Sequence, residues 1–213
     1  MASYISRDLY LRKLINRRDN GEVKIVTGAR RCGKSWLLKK IYRDYLLAQG
    51  VNSDNILMVS FDTDDDPDGG DLTDAVTLKK FLYSQISDEG NYYVILDEIQ
   101  MVEGFERIVN GLNACDNVDV YITGSNSRFL SSDINTVFRG RGDEIRVYPL
   151  SFSEFCAGRD ESVSELWKEY YTYGGMPALR NQRTAEQKVS YLQRLWQKTY
   201  IDDVVERGGV RNR

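Results

Sequence analysis

The chain contains no histidine in its 213 residues. That absence removes the Ser-His and Cys-His nucleophile schemes, which need an imidazole as general base. Cysteine is scarce as well: Cys32, Cys115 and Cys156 are widely spaced, and no two form a C-x-x-C pair. An odd count, with no histidine to complete a ligand set, argues against a zinc site or a disulfide framework and points to a reducing compartment. Long apolar runs are missing too. No stretch approaches the roughly 18 residues of a membrane helix. The opening Met-Ala-Ser-Tyr-Ile-Ser-Arg has no basic region followed by an apolar core, so no signal peptide is expected and the expected location is cytoplasmic. Nor is there an excess of positive charge. The net charge is −3, and seven aspartates with no basic residue fall within residues 62–74. The remainder stands at +4, with 29 basic against 25 acidic residues, too little to indicate nucleic-acid binding.

What is present is concentrated in the stretch V-K-I-V-T-G-A-R-R-C-G-K-S-W-L-L, residues 23–38. A β-branched run (Val23, Ile25, Val26) leads into Gly28, four residues follow, and Gly33, Lys34 and Ser35 open a helical pattern. This is the spacing of a phosphate-binding loop, in the strand-to-helix context that such a loop needs. Polyphosphate oxygens crowd negative charge together, so the loop must aim several backbone N–H groups inward. Side chains would obstruct that approach, which accounts for glycine at both ends. The following helix adds its unpaired N–H groups and the positive end of its dipole. The residues expected to bind nucleotide are Gly28, Ala29, Arg30, Arg31, Cys32, Gly33, Lys34, Ser35 and Trp36. Lys34 is expected to meet the β- and γ-phosphates of ATP, and the Ser35 hydroxyl to ligate Mg²⁺. Cys32 is read as a small side chain inside the loop, although its oxidation would block nucleotide binding.

Around this stretch the pattern alternates between strands and helices. Residues 4–18 have an apolar helical face; Arg7, Tyr10 or Leu11 could touch adenine from it, or the helix could simply pack. Residues 35–49 carry an i, i+3, i+4 stripe that Gly50 stops. Residues 55–61 read as a strand so continuously apolar that burial on both faces is expected. The acidic stretch contains Asp64, Asp66, Asp68 and Gly69 in the opening pattern of a calcium loop. Ala75 stands where a bidentate carboxylate is required and Pro67 interrupts the pattern, so a solvated loop is the better reading. A helix over 72–86 follows.

Residues 92–100, Y-Y-V-I-L-D-E-I-Q, form the second decisive element. They read as a buried strand carrying two adjacent carboxylates at its C-terminal end, where open α/β sheets bind ligands. Strand alternation sends Asp97 and Glu98 in different directions. Asp97 is expected in the Mg²⁺ shell, and Glu98 is expected to orient or deprotonate water at the γ-phosphate. A further strand, residues 118–123, ends in G-S-N-S. Thr123, Ser125 and Asn126 are all candidates for reaching the γ-phosphate, with Ser125 carried forward, and helix capping is the competing reading. Arg139 and Arg141, set between glycines before a fifth strand at 144–148, are candidates for an arginine finger, with an exposed turn as the alternative.

After Pro149 the pattern becomes helical, with a capping box at Ser151 and Glu154 and a Gly174-Gly175-Met176-Pro177 break before a long helix over 185–205. The expected division is an ATP-binding core over 1–149 and a helical lid over 150–213.

In order along the chain, G-A-R-R-C-G-K-S, V-I-L-D-E-I-Q, I-T-G-S-N-S, F-R-G-R-G, Y-P-L-S-F-S-E-F and Y-G-G-M-P resemble the AAA-type ATPases of bacteria and archaea of the AAA_14 type. The resemblance implies an α/β P-loop NTPase fold of the RecA-like kind: a mainly parallel five-stranded sheet flanked by helices, with a small C-terminal helical lid. It also implies a sensor at the end of the 118–123 strand, a Gly-Gly-Met-Pro turn near adenine, and a further C-terminal domain beyond residue 213. The function expected is Mg²⁺-dependent ATP binding and hydrolysis that moves the lid, with ATP and ADP as ligands and self-association supplying an arginine finger. A nucleotide-gated interaction module with negligible turnover and a small-molecule kinase are the alternatives. GTP is disfavoured because no N-K-x-D motif is present.

Overall fold

The computed structural model describes residues 5–62, 71–124, 138 and 140–208, and side chains as far as residue 197. Ser125, Asn126, Arg139 and the aspartates of the calcium-like pattern lie outside the described residues. In chain order the elements are α1 (Asp8–Ile15), β1 (Val23–Gly28), a continuous helix α2 (Lys34–Trp36, Leu37–Tyr42 and Arg43–Ala48), β2 (Ile56–Ser60), α3 (Ala75–Gln85) and β3 (Tyr92–Asp97). There follow α4 (Phe105–Leu112), β4 (Val118–Thr123), β5 (Gly142–Val147), α5 (Phe152–Cys156), α6 (Val163–Tyr173) and α7 (Ala185–Gly208). The middle of α2, Leu37–Tyr42, winds as a π-helix, a geometry often found beside functional sites.

The five strands form one sheet in the order β2-β3-β4-β1-β5, and every adjacent pair is parallel. All six residues of β1, β3 and β4 are buried, as the covered faces of a parallel sheet require. The second strand departs from expectation. It forms one edge of the sheet, so Leu57 and Met58 stay partly open rather than buried on both faces.

One core cluster joins Ile25, Val94, Leu96, Val120 and Ile122 of the strands to Leu78 and Leu82 of α3 and Ile108, Val109 and Leu112 of α4. Each such side chain contributes roughly 1.5–3 kcal/mol by leaving water. A polar knot interrupts this apolar interior. Lys24 of β1 is fully buried and ion-paired with Asp119 of β4, which also accepts hydrogen bonds from Tyr121 Oη (2.6 Å) and Asp19 N (3.0 Å). The charge survives burial because each partner is satisfied. The Tyr42 and Tyr121 hydroxyls share a further hydrogen bond, and burial pushes both phenols well above their ordinary value.

The chain divides into two compact units: Arg7–Gly28 with Lys34–Val147, and a second made of residues 5–6, Ala29–Gly33 and the chain from Tyr148 onward. The tip of the glycine loop groups with the C-terminal helices. Within this second unit, Ser151–Glu154 and Ser162–Glu165 are full capping boxes at the starts of α5 and α6. Leu150, Phe155 and Leu166 form a small core that Ile5, Phe152 and Tyr170 pack against. The Gly174-Gly175 break is held close to Leu150: Leu150 N donates to Gly175 O (2.7 Å), and Tyr170 Oη donates to Leu150 O (2.9 Å). A Cβ at Gly175 would lie 2.2 Å from Leu150 O, so this backbone approach accounts for the glycine.

Candidate functional site

The loop between β1 and α2 takes its shape from two glycines. Gly28 has φ 143° and Gly33 φ 104°, conformations that L side chains rarely adopt. Between them Arg31 sits at φ 63°, a left-handed backbone that costs a non-glycine residue about 1–3 kcal/mol. Cys32 N donates to Ala29 O at 3.2 Å and closes the turn, and Cys32 itself is buried. The Arg31 guanidinium also lies by Tyr191 of α7. Burial pushes that phenol up, and the positive charge of Arg31 pulls the other way. Lys34 is buried at the start of α2, its Nζ donating to Gly28 O at 3.1 Å.

Across from Lys34 stand the two carboxylates. Asp97 ends β3 at 1% exposure. Its Oδ1 accepts from Ser35 Oγ at 3.0 Å and from Thr123 Oγ1 at 2.6 Å. Its Oδ2 has Lys39 Nζ at 2.9 Å, outside hydrogen-bonding angles, so this oxygen is ion-paired without a directed bond. Glu98 does not continue the strand. It adopts φ 58° and ψ 43°, and a 3₁₀ turn over Ile99–Met101 begins directly after it. The strand therefore ends at Asp97, and Glu98 has a left-handed backbone rather than that of a strand reaching Gln100. Thr123 holds that residue: its Oγ1 accepts from Glu98 N at 3.0 Å while donating to Asp97. One side of the Glu98 carboxylate takes a hydrogen bond from Gln100 Nε2, and the other lies 4.0 Å from Lys34 Nζ.

The structure thus brings Lys34, Ser35, Asp97, Glu98 and Thr123 together at the C-terminal ends of three adjacent parallel strands. Such sheets bind ligands at that edge. The donor set suits a hard divalent cation: a serine hydroxyl 3.0 Å from a buried carboxylate, one oxygen of which carries no hydrogen bond. Among the described residues no group of three or more acidic or cysteine side chains offers an alternative metal site.

Other expected residues lie elsewhere. Arg141 is exposed where the chain enters β5, and its carbonyl accepts from Val23 N at the start of β1. The length of β1 separates Val23 from Gly28, about 17 Å at 3.3 Å per residue, so Arg141 does not approach its own chain's Lys34. Trp36 keeps about half its surface exposed, at 54%. Arg7 and Tyr10 are buried, the guanidinium 4.6 Å over the ring, which accounts for α1 as a packing helix. Lys39 and Gln100 were not anticipated. Lys39 did carry a signal: it stands four residues after Ser35, on the same helical face.

A parallel sheet in this order, a glycine loop joining its β1 to a helix, and an aspartate ending β3 define the P-loop class of ATPase folds. Within that class the chain belongs to the AAA domain family, AAA_14, whose pattern matches residues 20–156. It is 37% identical to an uncharacterised protein of Haemophilus influenzae over 98% of its own length and 52% of that protein's. It is 26% identical to one of Methanocaldococcus jannaschii over 99% of its length and 47% of that protein's. The chain thus spans about half the length of these curated relatives. The fold also resembles the Aeropyrum pernix ORC1 protein, solved in complex with DNA (TM-score 0.50, 12% identity, 92% of this chain and 66% of that one). A DNA polymerase III gamma subunit-related protein of Thermotoga maritima is similar as well (TM-score 0.50, 10% identity, 84% of this chain and 57% of that one). Among the described residues, no helix is long and apolar enough to cross a membrane.

Proposed function

We propose that the chain binds ATP with Mg²⁺ at Gly28–Ser35 and hydrolyses it. The observation that carries this reading is the cluster of Lys34, Ser35, Asp97 and Glu98 at one end of the sheet. In it, the serine hydroxyl is 3.0 Å from Asp97 and the lysine ammonium 4.0 Å from Glu98. Lys34 is the cation for the β- and γ-phosphates, backed by the loop amides and the start of α2. Ser35 and Asp97 are the residues that would hold Mg²⁺, which when bound neutralises charge developing on the transferred phosphoryl group. Glu98 orients and deprotonates the attacking water. Its left-handed backbone fixes the carboxylate's direction, and Gln100 fixes its rotation. Of the three polar candidates Thr123, Ser125 and Asn126, Thr123 is assigned the part near the γ-phosphate, because its hydroxyl reaches both Asp97 and Glu98.

In the same proposal the C-terminal helical segment is the part that responds to nucleotide. An arginine finger, Arg139 or Arg141, is assigned to a neighbouring copy, since Arg141 lies beyond reach of the loop in its own chain. Cytoplasmic location is part of the same proposal. The test is phosphate release from MgATP by the wild type and by Glu98→Gln. Release should fall at least about 100-fold in the variant, the usual contribution of a positioned general base, with ATP affinity retained. Unchanged release would remove Glu98 from the reaction.

A further inference from the structure

Among the described residues, Lys24 and Lys39 each neutralise a buried aspartate, and they do so in different ways. Lys24 is completely enclosed, and its partner Asp119 takes further hydrogen bonds from Tyr121 and the Asp19 amide. Such a pair has no route to exchange its partner. Lys39 faces a carboxylate just as buried, Asp97 at 1%, but its own side chain is 30% exposed, and the contact is one ion pair at 2.9 Å with no directed hydrogen bond. Asp97 needs a counter-charge, because a lone ionised carboxylate at that burial carries a heavy desolvation penalty. Its other oxygen is already committed to the neutral donors Ser35 and Thr123, which supply no charge.

We infer that Lys39 is a displaceable counter-charge for Asp97. Its ammonium neutralises the carboxylate in the absence of a divalent cation and moves into solvent when one binds, so that Lys39 sets the affinity of the site for metal. The inference rests on Asp97 being a metal carboxylate, as proposed above. The solvent-facing stem gives the ammonium somewhere to go: the four-carbon chain swings outward without disturbing the backbone of α2, and the charge is rehydrated as it leaves. A metal ion arriving with its nucleotide would then displace one partly hydrated cation and would not have to fill an uncompensated carboxylate. The same competition holds the affinity for free metal low, favouring metal that comes with phosphate oxygens attached.

The experiment is a Mn²⁺ titration of nucleotide-free protein, followed by the paramagnetic signal of free Mn²⁺, together with melting curves in chelator and in Mg²⁺. Lys39→Met should bind Mn²⁺ several-fold to about tenfold more tightly than wild type, as expected when one competing ion pair is removed. It should melt lower than wild type in chelator and recover on adding Mg²⁺, while Lys39→Arg stays near wild type in both readouts. Should Lys39→Met not fold in chelator, Lys39→Gln, which keeps a donor and loses the charge, carries the same expectation. Unchanged or weaker Mn²⁺ binding in the charge-free variant, or a melting deficit that Mg²⁺ leaves in place, would overturn the inference. Asp97→Asn separates the two levels. If Mn²⁺ with ATP binds it as well as wild type, the assignment of Asp97 to metal fails; if binding is lost there but unaltered in the Lys39 variants, only the displaceable counter-charge fails.

Discussion

Replacing Thr123 with valine tests the geometry of the site in a single hydroxyl. The two side chains have nearly the same shape, so Thr123→Val leaves no cavity at this fully buried position and removes only the donor to Asp97 and the acceptor for Glu98 N. A hydrogen bond to a charged group contributes about 1.5–3 kcal/mol, and an orphaned buried N–H costs about 1–3 kcal/mol. Because both effects pass through one oxygen they do not simply add, and a net loss of about 3 kcal/mol follows. At a urea dependence of about 2 kcal/mol per molar, the midpoint should drop by about 1.5 M. Thr123→Ser keeps the hydroxyl and loses one methyl, for a cost of about 1 kcal/mol. Turnover should follow the same order, since Glu98 loses the bond that holds its left-handed backbone. Urea unfolding followed by far-ultraviolet circular dichroism measures both variants. A valine variant within about 0.5 kcal/mol of wild type, or a serine variant as unstable as the valine, would refute the reasoning.

Gly175→Ala should lower the melting temperature of the C-terminal unit. Its Cβ would meet Leu150 O at 2.2 Å, and relieving that overlap costs about 1–3 kcal/mol; an unchanged melt would remove the close backbone approach as the reason for glycine. Acid sensitivity should trace to Arg159, which bonds Glu161 and Glu169 and holds the Glu161 carboxyl at about 2, against an ordinary 4.5. A depressed carboxyl stabilises the fold above its ordinary value and loses that contribution as pH falls from 4.5 towards 2. Glu169 is held low by the same guanidinium together with Lys188, against the opposing effect of burial. Arg159→Met should therefore flatten the fall in urea midpoint across that window, and an equally steep acid limb in the variant would contradict the assignment.

Much of the architecture was legible because it rests on local pattern. The β-branched run before Gly28, the apolar stretch before Asp97 and the 118–123 run all became buried parallel strands. The Ser151–Glu154 capping box was readable from its spacing alone. The residues that escaped are those whose role depends on partners distant in the chain. Lys24 looks like an exposed alternate residue of a strand, yet its partner Asp119 lies on another strand and draws it inside. Lys39 looks like one of two surface lysines on a helix, and only the arrival of β3 makes it the partner of Asp97. The bonds of Thr123 to Asp97 and Glu98 depend on where β4 stops. Strand alternation was the expectation at Glu98, but the strand ends at Asp97 and Glu98 takes a left-handed backbone that no residue preference at that position announces.

The central claim is that residues 28–35 hold a nucleotide triphosphate through Lys34 and the loop amides. Calorimetric titration of MgATP into the wild type and Lys34→Ala addresses it most directly. The account predicts one saturable site in the wild type and no measurable binding in the variant. Binding within about threefold of wild type after the ammonium is removed would contradict it.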